Sequence, residues 1–297
     1  MYKYNNGNYE VVIFSNGTKI RSTYHSEFIA DSPESIDLKI TNCCDLNCNF
    51  CHEESHISGS HGNIMNKLNL FKGLNNGTEI AIGGGNPLSH PDLIDFISEL
   101  NKLKLICNIT VNAFHLLNEK YLELLNYLIS NNLVYGVGVS YSEDMISVST
   151  LNHLVSRIEK KDNIVIHVIA GLVDIDNIVN LLRMWKKVLI LGYKKYGRGK
   201  VIVDGNKIQL KFNQLNNYLE SLFLYGIVSF DNLAIKQLNL KDRLSAKMYN
   251  KYYMGDDGKF TMYVDIVKGQ FASSSISNKI NMSDYTIKEC FNKLSDY

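Results

Sequence analysis

The sequence predicts an α/β fold, a parallel sheet of six strand–helix units closed wholly or partly into a βα barrel and extended at both ends. Three observations carry this expectation. Six short β-rich runs alternate with helical stretches between residues 36 and 191. Each strand-plus-helix unit takes about 25–30 residues, the length of one right-handed βαβ step. No internal repeat or low-complexity linker interrupts the 297 residues, so one catalytic domain with terminal additions is expected. An open doubly wound sheet satisfies the same periodicity and stands as the alternative.

At the N-terminus, Tyr9–Phe14 and Thr18–Arg21 flank Asn16-Gly17. That dipeptide suits a tight hairpin turn, so residues 1–35 are expected to form a β-hairpin extension. The six predicted strands are Ile36–Thr41, Glu79–Gly83, Leu105–Val111, Leu133–Val139, Asn163–Ile169 and Lys187–Leu191. Helices are predicted near 64–75, 91–104, 117–131, 147–160 and 174–186. In the last of these, Ile175, Ile178, Leu181, Leu182 and Trp185 recur at the spacing of one buried helix face. These units make residues 36–200 the expected core. The rhythm breaks after residue 200, and residues 201–297 are expected to form an α+β extension that packs on or caps the barrel. It holds a strand candidate within Gly226–Leu238 and a hairpin pattern over Lys259–Phe271, turning at Val267-Lys268-Gly269.

Composition narrows the functional classes. Hydrophobic residues at 45% and charged residues at 21% exclude a disordered chain. Lys and Arg number 31 against 30 Asp and Glu, a formal net charge of +1, so there is no strong nucleic-acid signal. Three prolines exclude a proline-rich stalk. No run reaches the roughly 18 uninterrupted apolar residues of a membrane span, and Met1–Asn6 lacks the basic start of a secretory signal. A cytoplasmic protein with reduced thiols and no membrane partner is expected.

Six cysteines stand at 43, 44, 48, 51, 107 and 290. Cys44, Cys48 and Cys51 form C-x3-C-x2-C directly after the first strand of the alternating region. A short loop with this spacing wraps three thiolates around three corners of a cubane cluster and leaves the fourth iron open to a small molecule. Electron-transfer clusters normally take four cysteines. Zinc is the alternative, with Cys43 or His52 as fourth ligand, and would make the chain a zinc-stabilised βα ligand-binding protein without redox chemistry. Zinc sites usually pair two knuckles, however, and no second knuckle follows. Cys43 points differently along the backbone from Cys44 and reads as a spare thiol. Cys107 reads as a buried strand residue. With only Cys107 and Cys290 left over, no auxiliary four-cysteine cluster can form.

The run Leu38–His52, including the aromatic Phe50 before the last cysteine, resembles the signature loop of the radical S-adenosylmethionine (radical SAM) enzymes. The resemblance implies a partial (βα)6 barrel with the cluster loop after its first strand. It implies a 4Fe–4S cluster on Cys44, Cys48 and Cys51, with S-adenosyl-L-methionine chelated at the open iron through its amino and carboxylate groups. It further implies one-electron cleavage to methionine and a 5′-deoxyadenosyl radical, which abstracts hydrogen from an unidentified substrate. A donor such as flavodoxin or ferredoxin would supply the electron.

Further positions extend the resemblance. Gly84-Gly85-Asn86-Pro87 is similar to the family's glycine-glycine-glutamate-proline motif, with Asn86 in the acidic position. Its role there would be to accept hydrogen bonds from the methionine ammonium group. The same stretch reads equally as a glycine turn into a helix capped around His90-Pro91-Asp92. Asn112 matches a threonine-asparagine strand ending, Ser140 a ribose-binding serine, and Gly171 a residue that admits the adenine. Asn112 also suits a turn and Ser140 a helix cap. His167 reads as a core histidine. Lys194, Lys195 and Arg198 follow the sixth strand and suit a phosphate or carboxylate on an anionic small molecule or nucleotide, or else a solvated loop. The polar, aromatic stretch Tyr252–Gly258 with Tyr263, Asp265 and Ser273–Ser275 suits closure of a pocket.

Overall fold

A computed structural model describes residues 1–15, 17–201 and 205–294; Asn16 of the expected hairpin turn lies outside the described residues. The N-terminal strands are β1 (Tyr2–Asn6), β2 (Tyr9–Ile13) and β3 (Lys19–Ser22), paired antiparallel in the order β1-β2-β3. This is a three-stranded sheet where a hairpin is expected. β1 escapes the sequence because Tyr2–Asn6 has no continuous apolar alternation, and only Asn6 of the strand is buried.

The main sheet contains β4 (Ser35–Thr41), β5 (Glu79–Gly84), β6 (Ile106–Asn112), β7 (Gly136–Ser140), β8 (Ile164–Ile169), β9 (Lys187–Leu191) and β10 (Ile227–Phe230). It also contains β11 (Thr261–Asp265), β12 (Gln270–Ala272) and β13 (Ile280–Asn281). Its order is β10-β9-β8-β7-β6-β5-β4-β11-β12-β13. Every neighbouring pair from β10 through β11 is parallel, and β12 and β13 close the edge antiparallel. β10 and β13 do not pair, so the sheet curls without closing. The six predicted strands are β4 to β9, in sequence order. The segment from residue 201 onward supplies β10 at one edge and β11 beside β4, and so shares the sheet.

Helices α1 (Leu93–Lys102), α2 (Glu119–Ser130), α3 (Val148–Ser156) and α4 (Ile175–Trp185) cover the outside. α4 buries Ile175, Ile178, Leu181 and Leu182 and stops at Lys186, which turns left-handed. The stretch predicted as a helix near 64–75 is a 3-10 turn over Met65–Phe71 with only Phe71 buried. Without a buried stripe, little tertiary packing is available to sustain a longer helix.

Strand alternation decides what faces inward. In β4, Ile36, Leu38 and Ile40 are sealed under the helices, leaving Asp37, Lys39 and Thr41 on the other face. In β6, Cys107, Ile109 and Val111 are buried, leaving Asn108, Thr110 and Asn112 inward. Closed βα barrels fill their interior with bulky branched side chains. Here small and polar residues leave it open, with a cavity of about 340 Å³ at the C-terminal strand ends and one of about 730 Å³ at the opposite end. Ala81, Thr110 and His167 line both.

Candidate functional site

The loop after β4 carries the cysteines and is pinned from several directions. The Cys44 amide donates to the His56 carbonyl at 3.0 Å, the Asn86 amide to the Cys43 carbonyl at 2.8 Å, and the Gly85 amide to the Thr41 carbonyl at 2.8 Å. Gly85 is required by this approach, because a Cβ there would lie 2.2 Å from the Cys43 oxygen. The second element of the motif therefore makes room for the cysteine loop itself.

Cys44, Cys48 and Cys51 line the upper cavity, whereas Cys43 does not. The Cys43 thiol faces the Ile57 carbonyl at 3.5 Å. Burial, then the Cys51 and Cys44 thiols, push the Cys48 thiol up to about 11, and burial raises Cys44 as well. Thiols that resist ionisation on their own, as Cys44 and Cys48 do, suit a metal that displaces their protons and neutralises the thiolates. Among the described residues the other thiols, Cys43, Cys107 and Cys290, do not line this cavity, and the donor set fits three corners of an iron–sulfur cluster.

Arg198 holds the same loop. Its Nε donates to the Cys48 carbonyl at 2.8 Å, Nη2 to the Ser55 carbonyl at 2.9 Å, and its amide to the Cys51 carbonyl at 3.1 Å. Its neighbour Gly197 has φ +52°, and a Cβ there would meet the His52 carbonyl at 2.6 Å. Its Nε and Nη2 are thus engaged with main-chain carbonyls of the cysteine loop. Lys195 is exposed and lines none of the three cavities described. Lys194 does line the upper cavity, donating to Ser275 Oγ at 2.8 Å and lying 3.3 Å from His52 Nε2. Burial, then the Lys194 charge, push the His52 imidazole down to about 3, which leaves it neutral.

The glycine motif divides. Gly84 and Gly85 line the cavity, but Asn86 and Pro87 are buried outside it. Asn86 Oδ1 caps the 3-10 turn Pro87–Ser89 by accepting from the Leu88 amide at 3.2 Å. One acceptor site of this oxygen is thus used within its own turn. Asn112 and Ser140 line the cavity at the ends of β6 and β7. Asn112 also caps the following turn by accepting from the Phe114 amide at 2.9 Å. Gly171 lines a separate cavity of about 230 Å³ with Phe50, Tyr193 and Ile208.

The wall facing the cysteines across β4 and β11 is polar. Lys39, 2% exposed, pairs with Glu53 at 2.5 Å and Asp265 at 3.3 Å. The Tyr263 hydroxyl donates to Glu53 at 2.8 Å. Asp37 faces the same cavity, and no hydrogen bond to its carboxylate is found among the described residues. His167, expected in the core, projects into the lumen, where a Cβ on Gly138 would meet its ring at 2.2 Å. Burial pushes this imidazole down to about 4. Sequence reading missed Asp37, Lys39, Glu53 and His115. The first two carry a signal, since polar residues alternate with Ile36, Leu38 and Ile40 in a strand otherwise built for a core.

Residues 38–161 match the family described as the Radical SAM superfamily. Two probable GTP 3′,8-cyclases are similar. That of Methanococcus aeolicus is 34% identical over 101 residues, covering 31% of this chain and 33% of its own. That of Methanococcus maripaludis is 35% identical over 96 residues, covering 31% and 32%. The match spans about a third of these relatives. Streptococcus suis SuiB bound to S-adenosylmethionine superposes with a TM-score of 0.59 at 15% identity, over 89% of this chain and 66% of its own. SuiB bound to precursor peptide SuiA gives 0.55 at 14%, over 89% and 65%. At such identity the likeness to SuiB is one of fold. Family match and relatives agree with the cysteine loop: residues 38–161 carry a radical SAM superfamily domain.

Proposed function

We propose that Cys44, Cys48 and Cys51 hold a 4Fe–4S cluster and that the chain cleaves S-adenosylmethionine reductively to start radical chemistry on a small substrate. The observation that carries this reading is the convergence of these three thiols, without Cys43, on one cavity at the C-terminal strand ends. Active sites of βα barrels sit at that face. When bound, the cluster supplies one electron to the sulfonium, giving methionine and a 5′-deoxyadenosyl radical. Gly84, Gly85, Asn112 and Ser140, which line the cavity on β5, β6 and β7 and the loop after β5, are assigned to S-adenosylmethionine. Lys194, Asp37 and Tyr263, which line the same cavity, are assigned to substrate. The 340 Å³ volume suits small molecules. Lys194 directs a cation into the cavity, which supports an anionic substrate, and a nucleotide fits the names of the Methanococcus relatives.

The electron comes from a reductant of the flavodoxin or ferredoxin class. Among the described residues no helix is long and apolar enough to cross a membrane, and we place the protein in the cytoplasm. Zinc has one feature behind it, the Cys44–Asp45–His115 trio, whose ligand atoms lie within 4.8 Å of one another. Anaerobic reconstitution with iron and sulfide separates the two. The cluster reading predicts a brown protein with about four irons and four sulfides, lost on Cys44→Ala, Cys48→Ala or Cys51→Ala and kept on Cys43→Ala. A colourless protein that retains zinc contradicts it.

A further inference from the structure

We propose that His115 and Asp45 set the reduction potential of the cluster through the Cys44 sulfur, His115 raising it and Asp45 lowering it. This rests on the cluster assignment above. His115 lies in the 3-10 turn Ala113–Leu117, whose start is fixed by the Asn112 cap. Ala113 and Leu116 anchor the turn in the core, and the imidazole is 3% exposed with its edge against the Tyr121 ring. Its Nε2 stands 2.9 Å from Asp45 Oδ1 and 3.9 Å from Cys44 Sγ. Its Nδ1 is buried with no hydrogen-bond partner among the described residues.

The placement of the ring proton follows from its neighbours. Both groups near Nε2 are acceptors, whereas a proton on Nδ1 would be buried without a partner. Nε2–H is therefore the donor, shared between carboxylate and sulfur. An N–H directed at a cluster sulfur stabilises added negative charge, so it favours the reduced cluster. Asp45 acts in the opposite sense. It competes for the same proton and places a carboxylate beside the cluster, which disfavours an added electron. His115 is a positioning residue acting through Cys44, and no bond in the protein changes during the one-electron reduction.

The test is anaerobic potentiometry of the reconstituted protein, poised with dithionite and mediators and read by the electron paramagnetic resonance of the reduced cluster. His115→Phe is expected to shift the reduction equilibrium about tenfold toward the oxidised form, about 59 mV for one electron. Asp45→Asn is expected to shift it by a similar factor in the opposite direction. His115→Gln, whose amide still donates, falls between wild type and His115→Phe. If His115→Phe fails to hold iron, the signs for Asp45→Asn and His115→Gln decide. Unchanged potentials, shifts of the same sign for His115→Phe and Asp45→Asn, or nitrogen hyperfine coupling showing His115 as an iron ligand would overturn the proposal. A wild-type protein that assembles no cluster would sink the preceding assignment instead, and iron analysis before titration distinguishes the two failures.

Discussion

Arg198 illustrates how one side chain fixes the geometry of others distant in sequence. It bridges the Cys48 and Ser55 carbonyls, so both halves of the cysteine loop hang from one guanidinium that follows β9. Hydrogen bonds from a charged group are typically worth about 1.5–3 kcal/mol each. Arg198→Ala should therefore speed iron release to a chelator by roughly tenfold or more, one decade corresponding to about 1.4 kcal/mol. Lysine at this position cannot span both carbonyls and should restore little. An unchanged release rate would remove Arg198 from the support of the site. At this scale the convergence of Cys44, Cys48 and Cys51 on one cavity was legible in the sequence because spacing along one loop is local information. Arg198 was not, because its partners lie 150 and 143 positions away and a basic loop between glycines reads alike whether it meets carbonyls or a ligand. The cap made by Asn86 was hidden for a related reason. The residue's place in a motif is readable, but the cap that engages its oxygen depends on backbone direction.

At the scale of elements, the small sheet β1–β3 is tied to the barrel by Glu34, immediately before β4. Its carboxylate is 1% exposed, accepts from the Tyr9 hydroxyl at 2.6 Å and receives the Arg21 fork at 2.7 and 3.0 Å. Lys19 adds a cation at 3.4 Å. Burial alone would raise this acid, but Arg21, Lys19 and Tyr9 together outweigh it and hold the group below its ordinary value of 4.5. The stabilisation is therefore full above the ordinary carboxylate range and is lost as pH falls through the lowered value. Glu34→Gln should cost about 3 kcal/mol near neutral pH, as breaking one side of a buried ion pair does. The gap in denaturant unfolding between variant and wild type should narrow below about pH 4. A gap that does not change with pH would show that the carboxylate charge contributes nothing. Strands β4–β9 were legible from their alternation with helices. β1 was not, since its pairing with β2 draws on little buried apolar surface of its own.

For the whole molecule, the open interior follows from what each strand turns inward. Glycine, alanine, threonine and asparagine on β5, β6 and β7 leave room where a closed barrel would be packed, and Lys39 on β4 is balanced within the wall by Glu53 and Asp265. The C-terminal segment completes this wall, with β11 adding Tyr263 beside Asp37 through parallel pairing with β4. That pairing was hidden in the sequence, since the hairpin of β11 and β12 is a local pattern but its partner strand lies more than 200 residues earlier. The account as a whole rests on the cavity joining three thiols to a space for S-adenosylmethionine. The most direct measurement is chromatography of products after the reconstituted, dithionite-reduced protein is incubated anaerobically with S-adenosylmethionine. The expected result is 5′-deoxyadenosine and methionine in equal amounts, abolished by Cys48→Ala and retained by Cys43→Ala. Intact S-adenosylmethionine in the presence of a fully assembled, reduced cluster, or methylthioadenosine as the main product, would contradict it.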